Sequence, residues 1–312
     1  MLSDNSFIPI ITNFLGTDLR TATPILLAAI GLIFMARSGI VNIGAEGMML
    51  IGALAGAAGS YYLGSAWLGL LTAMLFGGLI GLLFAYLVVT IKASQVVIGA
   101  AINILGLGLT TAFARIIFGI NTAPPEISSF QIVPIPFLSQ IPIIGPALFN
   151  QYILVYLTLL LVPLTYIVIY KTPIGLNIRA VGEHPKAADT LGVNVFRVRY
   201  GAIIFGSVLC GAAGAFLSLA LLNFFTEDMV TGRGFIALAA VIFGKWNPLG
   251  VLGAALLFGA GDALQFRLQA LDTSIPYQFF LMIPYLLTVA ALAGFVGKAT
   301  PPAATGKPYI KA

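Results

Sequence analysis

Residues 66–89, AWLGLLTAMLFGGLIGLLFAYLVV, run for twenty-four positions without a charge. About 18 apolar residues suffice for a helix to cross the hydrocarbon core of a bilayer. Comparable runs recur along the whole chain. Lipid offers no partners for unpaired backbone groups, so only helices and closed barrels can span it. The alternating pattern of a barrel strand is absent from these runs. The chain is therefore expected to be all-α, a polytopic transmembrane bundle of about 8–10 spans. Composition agrees: 60% of its 312 residues are hydrophobic and 8% charged, where a soluble domain carries about 25% charged residues.

Spans are predicted near 21–36, 40–62, 66–90, 95–118, 150–170, 200–222, 230–244, 248–266 and 276–297. The seventh is short for a full crossing and reads as a broken or re-entrant helix. The whole of 1–312 is read as one transmembrane domain. Alternate connections divide the basic residues unequally. One side holds Arg37, Lys92, Lys171, Arg179, Lys186, Arg197, Arg199, Lys245, Lys298, Lys307 and Lys311; the other holds Arg20, Arg115, Arg233 and Arg267. The positive-inside rule makes the first side cytoplasmic, and the C-terminus with it. Because these charges are scattered between spans, the net charge of +5 does not point to nucleic acid. Cys210 and His184 are each the only residue of their kind, so no disulfide and no cysteine or histidine metal site is expected. The opening MLSDNSFIPI has no basic segment before a short apolar core, and no cleaved signal peptide is expected.

Segment 119–149 is expected on the outer side. Its six prolines rule out one continuous helix. Two readings fit it: a surface folded against the bilayer edge or a partner, and a rigid connector.

An internal repeat runs through the spans. GAEGMMLIGALAG (44–56) and TGRGFIALAAVIFG (231–244) each place a charge before glycine and then a small, apolar run. Each is followed by a matching phrase, WLGLLTAMLFGG (67–78) and PLGVLGAALLFGA (248–260). The two copies start from opposite sides, the pattern of an inverted repeat, with a substrate path expected at the repeat interface. Gly52 with Gly56, and Gly77 with Gly81, have GxxxG spacing, which also serves plain helix packing. Glu46 is costly inside a membrane and should face a partner or water, with Asn42 one turn earlier. Glu46 either lines the path or caps backbone amides at a helix break.

The stretch 179–199, RAVGEHPKAADTLGVNVFRVR, is the longest charged one in the middle of the chain. Pro185 suits the first position of a helix and Gly192 its left-handed stop. A two-turn helix is expected between them, with Ala187, Ala188 and Leu191 as a small apolar face. Two readings fit: a helix lying beneath its own bundle, or one built to enter a groove in another protein. None of the Gly-Lys pairs at 244, 297 and 306 belongs to a P-loop, so any nucleotide-driven work requires a separate subunit.

RSGIVNIGAEGMMLIGALAG (37–56), SQVVIGAAINILGLGLT (94–110), GLNIRAVGEHPKAADTLGVNV (175–195) and ALAAVIFGKWNPLGVLGAALLFGAGDALQ (237–265) together resemble the membrane permeases of bacterial ABC importers. The similarity is to the branched-chain amino acid and ribose type, and closest to its nucleoside (simple sugar) branch, over roughly 20–298. The resemblance implies that Gly182, Glu183, Pro185, Ala187, Ala188, Leu191 and Gly192, within a cytoplasmic loop at about 171–199, form the ATPase-coupling segment. It implies Asn42, Glu46, Gln95 and Asn103 as candidates for the substrate path. It also implies an ATPase subunit that carries ATP and Mg, a second and different permease, an extracytoplasmic binding (lipo)protein, and residence among the lipids of a bacterial cell membrane. No cofactor and no catalytic residue are expected on this chain. Ala36 departs from the pattern, since many relatives carry an acid before the arginine at this point. Ribose-type sugars and branched-chain amino acids are the alternative substrates. An ion-coupled carrier is the alternative class.

Overall fold

The computed structural model describes residues 7–119, 125–141, 144–271, 277–283, 286 and 300–311. The apolar runs form α1 (Phe7–Arg37), α2 (Ala45–Leu63), α3 (Ala66–Ala85), α4 (Gln95–Phe118), α6 (Ile153–Lys171), α9 (Val195–Phe216), α10 (Arg233–Phe243) and α11 (Pro248–Leu271). α3 and α9 each end in a π-helical turn, Tyr86–Thr90 and Leu217–Leu221. Shorter pieces join them: α5 (Ile144–Leu148), α7 (Pro173–Glu183), α8 (Pro185–Thr190) and α12 (Tyr277–Leu281). Among the described residues, six helical stretches are long and apolar enough to cross a membrane. The chain is a polytopic helical membrane protein.

Two span starts, those of α1 and α2, differ from the sequence reading for a physical reason, whereas α10 is as short as expected. Among the described residues α1 starts at Phe7, not near 21, and its 31 residues measure roughly 46 Å. Its polar first half is helical because it packs against other elements. The Arg20 Nε donates to Gln151 Oε1 (2.7 Å), its Nη2 to the Asn150 carbonyl (3.2 Å), and its guanidinium lies over the Tyr152 ring. α2 begins at Ala45 rather than near 40, because the chain leaves helical geometry between Ser38 and Gly44, and Gly39 takes φ +86°. α10 has 11 residues, roughly 16 Å of helix, about half of a ~30 Å hydrocarbon core. The predicted span 276–297 lies mostly outside the described residues.

The inverted repeat is visible in the packing. α1 and α9 are almost wholly buried and cross at the centre, while α3, α4, α6 and α11 form the outer layer. α1 of the first half packs on α11 of the second, and α9 of the second packs on α3 of the first. At the central crossing Gly31 and Gly206 face each other reciprocally. A methyl group on either would come within 2.5 Å of the other's carbonyl oxygen. The GxxxG glycines of α2 and α3 serve the same end, with Gly52 and Gly77 set against Gly211 of α9. Small residues substitute here for the hydrophobic drive that lipid removes.

The two ends of the bundle differ. At one end, β1 (Ile132–Pro134) pairs antiparallel with β2 (Asn150–Tyr152), Ile132 opposite Tyr152. The proline-rich segment folds onto its own bundle there. The Phe130 amide donates to the Leu219 carbonyl (2.8 Å), Ser60 Oγ to that of Ser128 (2.5 Å), and Trp67 meets Phe130 edge to face. At the other end, Arg37 donates to the Trp246 carbonyl (3.0 Å) and to the Tyr170 hydroxyl (2.7 Å), while Arg179 lies over the same Tyr170 ring. The α7–α8 hairpin sits at this second end.

Candidate functional site

The non-helical stretch between α1 and α2 exposes backbone groups inside an apolar bundle, and each left unpaired would be costly. Side chains from the sequence candidates satisfy several of them. The Val41 amide donates to Gln95 Oε1 (2.7 Å), and the Gly44 amide to Asn42 Oδ1 (2.8 Å). Asn103 works in both directions: its Oδ1 accepts from the Gly47 amide (2.8 Å) and its Nδ2 donates to the Ile43 carbonyl (3.0 Å). The remaining Asn42 amide faces the sulfurs of Met35 and Met48. Gly44 and Gly47 lie close against Gly99 and the Ile102–Asn103 backbone of α4, which brings Asn103 and Gln95 within reach of the break.

Glu46 completes the arrangement from the other half of the chain. Its Oε1 accepts from the Gly232 amide and its Oε2 from the Gly234 amide, both at 2.7 Å. These are orphan donors at the start of α10. Glu46 is itself in the first turn of α2. One carboxylate thus lies at the positive ends of two helix dipoles. α10 then runs from Glu46 towards Trp246 and the Arg37 end, while α2 runs the other way, to Ser60 and the β-ribbon end. α2 and the half-length α10 therefore begin head to head within the bundle.

Beside the start of α10, a cavity of about 270 Å³ opens between α1, α10, α11 and the π-helical turn after α9. Thr17, Arg20, Thr21, Met229, Arg233 and Phe266 line it. The Arg233 Nη1 donates to Thr231 Oγ1 (2.8 Å), and its Nη2 lies 3.6 Å from Asp262 Oδ2. Sequence reasoning passed over Arg20, Thr21 and Arg233 here, treating the arginines as markers of topology. The signal available was a basic residue within the second repeat phrase.

In the hairpin, Thr172 caps α7 by accepting from the Gly175 amide (3.3 Å), and Asn194 caps α9 by accepting from that of Arg197 (3.0 Å). Pro185 occupies the first position of α8, and Gly192 turns out of it with φ +86°. The expected shared face of α8 is divided, however. Ala188 points inwards to Val181, Val195 and Tyr309, whereas Ala187 and Leu191 are exposed, Leu191 at 84%. The reason is the tight turn at Gly192, where the Val193 amide returns to the Ala188 carbonyl (3.0 Å). Gly182 is buried directly against the Arg37 carbonyl, with no room for a side chain. Glu183 and His184 are exposed beside Lys186. Tyr309 and its neighbours were not anticipated as part of this region. A lone tyrosine in an otherwise small, polar tail was the only hint.

The head-to-head starts of α2 and α10 and the short hairpin at one end belong to a polytopic helical permease. The chain belongs to the family described as the permease component of the branched-chain amino acid transport system, whose profile matches residues 15–296. It is 40% identical over 301 residues to the guanosine ABC transporter permease protein NupQ of Bacillus subtilis, covering 93% of this chain and 94% of that one. It is 38% identical over 301 residues to the putative glucose ABC transporter permease protein TsgC13 of Haloferax volcanii, covering 89% and 90%. With the nucleoside ABC transporter permease protein NupC of Lactococcus lactis it shares 37% over 260 residues, 81% of each chain. No solved structure matches it.

Proposed function

We propose that this chain is a permease subunit of an ABC importer that takes up nucleosides by alternating access, driven by a separate ATPase. The observation that carries this is the head-to-head start of α2 and α10 at Glu46. It places a break in each half of the inverted repeat at one point, the arrangement on which carriers build a substrate path. Nucleoside substrates follow from the relatives named for guanosine and nucleosides.

In this reading, residues 1–312 act as one transmembrane domain with the α7–α8 hairpin and the C-terminus in the cytoplasm. Glu183, Ala187 and Leu191 present the surface that the ATPase meets, and Gly182, Pro185, Ala188 and Gly192 give the hairpin its shape. Asn42, Glu46, Gln95 and Asn103 border the path by holding the backbone of the break in place. The cavity lined by Arg20, Thr21 and Arg233 lies on the outer part of that path, and its size approaches the lower bound of about 300 Å³ for small-molecule sites. ATP and Mg belong to the partner ATPase. A second, different permease and an extracytoplasmic binding protein complete the transporter in the bacterial cell membrane.

Sugar transport is the second reading, favoured by the relative named for glucose. An ion-coupled carrier fits less well. The relatives are named as ABC transporter permeases, and Glu46 and Asp262 are engaged by backbone amides and by Arg233; Asp18, buried with no partner for its Oδ1, is the carboxylate such a carrier would use. Energy source separates the classes: uptake of labelled uridine into right-side-out vesicles loaded with ATP should stop when vanadate is enclosed with the ATP, and should survive a protonophore. Direct arrest by the protonophore with vanadate inert would overturn the ABC assignment.

A further inference from the structure

α8 is a helix of six residues, too short to hold itself in water. Its one buried side chain, Ala188, enters a small cluster made by Val181 of α7, Val195 of α9 and Tyr309. Tyr309 belongs to residues 300–311, which lie across the hairpin rather than extending from the bundle.

The attachments of this segment follow one another closely. The Ala303 amide donates to Glu183 Oε2 (3.1 Å), and the Ala304 amide to the Gly182 carbonyl (2.9 Å). The Gly306 amide donates to the Gly39 carbonyl (3.0 Å), and the Lys307 carbonyl accepts from Arg199 Nη1 (3.2 Å). The Tyr309 ring meets Phe196 edge to face at 5.7 Å, and its hydroxyl lies near the Asp189 carboxylate of α8. Internal bonds from the Thr305 amide and hydroxyl to the Pro302 carbonyl, and from the Lys307 amide to that of Ala304, fold the segment into a turn. Arg199 is 1% exposed, and its Nε and Nη2 find no partner, so its guanidinium depends on the Lys307 carbonyl.

These contacts join two places that are otherwise separate. One is α8, with the end of α7. The other is Gly39, where α1 gives way to the break that leads to Glu46 and the starts of α2 and α10. We propose that residues 300–311 are a strap that positions α8 and links its displacement to the Gly39 turn, so that motion imposed on the hairpin reaches the break. This rests on the reading of α8 as the ATPase docking point. Tyr309 is a positioning residue in this scheme: it touches neither substrate nor nucleotide.

The test uses the assembled transporter in proteoliposomes, with the ATPase and the other subunits present. Four variants are compared: Tyr309→Ala, Tyr309→Phe, a chain lacking residues 300–311, and Leu191→Glu. Permease content of the membrane, ATPase co-purification, ATP hydrolysis and substrate uptake are measured on each. Tyr309→Ala and the shortened chain should keep the ATPase bound and hydrolysing, while nucleoside moved per ATP falls about tenfold. Tyr309→Phe, which keeps the ring in its cluster, should recover most of that loss. A merely structural tail would lower permease content and leave the transport-to-hydrolysis ratio unchanged, and that result overturns the strap. If the shortened chain fails to enter the membrane, the ratio measured on Tyr309→Ala decides. Leu191→Glu should lose the ATPase. Retention of the ATPase by that variant would contradict the docking reading itself, whatever the Tyr309 variants show.

Discussion

The Glu46 Oε2 accepts a 2.7 Å hydrogen bond from the Gly234 backbone amide, 188 residues further along the chain. With the matching bond to Gly232, this joins the first turn of α2 to the first turn of α10. The fit leaves no slack, since a methyl group on Gly234 would collide with the Glu46 backbone nitrogen. Glu46→Ala should leave two amides unpaired, at about 1–3 kcal/mol for each buried donor. Glu46→Gln, with one acceptor oxygen left, should fall between Ala and wild type. Thermal unfolding of the detergent-solubilised permease measures this order, and equal midpoints for all three would show that the pin is not needed.

The Gly31–Gly206 crossing makes a second expectation. Alanine at either position forces α1 and α9 apart at the centre of the bundle, and overpacking of this kind costs about 1–3 kcal/mol. Gly253→Ala is the control, because nothing lies within 4 Å of the added carbon. Its midpoint of unfolding should not fall below that of the parent chain, since alanine is the better helix former. Destabilisation by Gly253→Ala equal to that of Gly31→Ala would mean that helix contact is not the cause.

The divided face of α8 separates folding from docking. Ala188→Glu puts a charge among Val181, Val195 and Tyr309 and should lower both permease content and uptake. Leu191→Glu changes an exposed side chain and should leave content intact while uptake is lost. Pulse-labelled membrane fractions, read alongside nucleoside uptake, show whether the two variants part in this way. Matching losses of content would refute the division.

At the β-ribbon end, Arg115 Nε donates to Glu227 Oε1 at 2.8 Å. That hydrogen bond, with the guanidinium charge, holds the Glu227 carboxyl below its ordinary value. A depressed folded value means that any stabilisation is present above the ordinary carboxylate range and is lost as pH falls through the lowered value. Both side chains are well exposed, so the effect on unfolding at neutral pH should be negligible. In Arg115→Gln, the Glu227 titration followed by carboxylate NMR should rise towards the ordinary carboxylate value. An unmoved midpoint would show that the pair does not form.

Much of this was legible in the sequence. Uninterrupted apolar runs could only be helices, Pro185 and Gly192 bounded α8, and the phrases around 44 and 231 marked the two halves. Two things were not legible. Helices that are apolar all round, such as α3, carry no periodic stripe to say which face is buried, so the central role of α1 and α9 had to come from packing. Glu46 could be seen as needing a partner, but the choice between path lining and backbone cap depended on Gly232 and Gly234. Likewise, the span placed at 40–62 crossed the break because hydrophobicity continues through Ile40, Val41 and Ile43 even though helical geometry does not. The tail at 300–311 was read for its charges alone, and nothing local ties Tyr309 to Asp189.

The account stands most directly on the uptake of labelled guanosine by cells lacking this chain and by the same cells after its return. Uptake should vanish and be restored, with excess unlabelled uridine or adenosine competing and glucose, ribose and leucine inert. Guanosine uptake that is unchanged by loss of the chain, with glucose or leucine uptake lost instead, would contradict the nucleoside assignment.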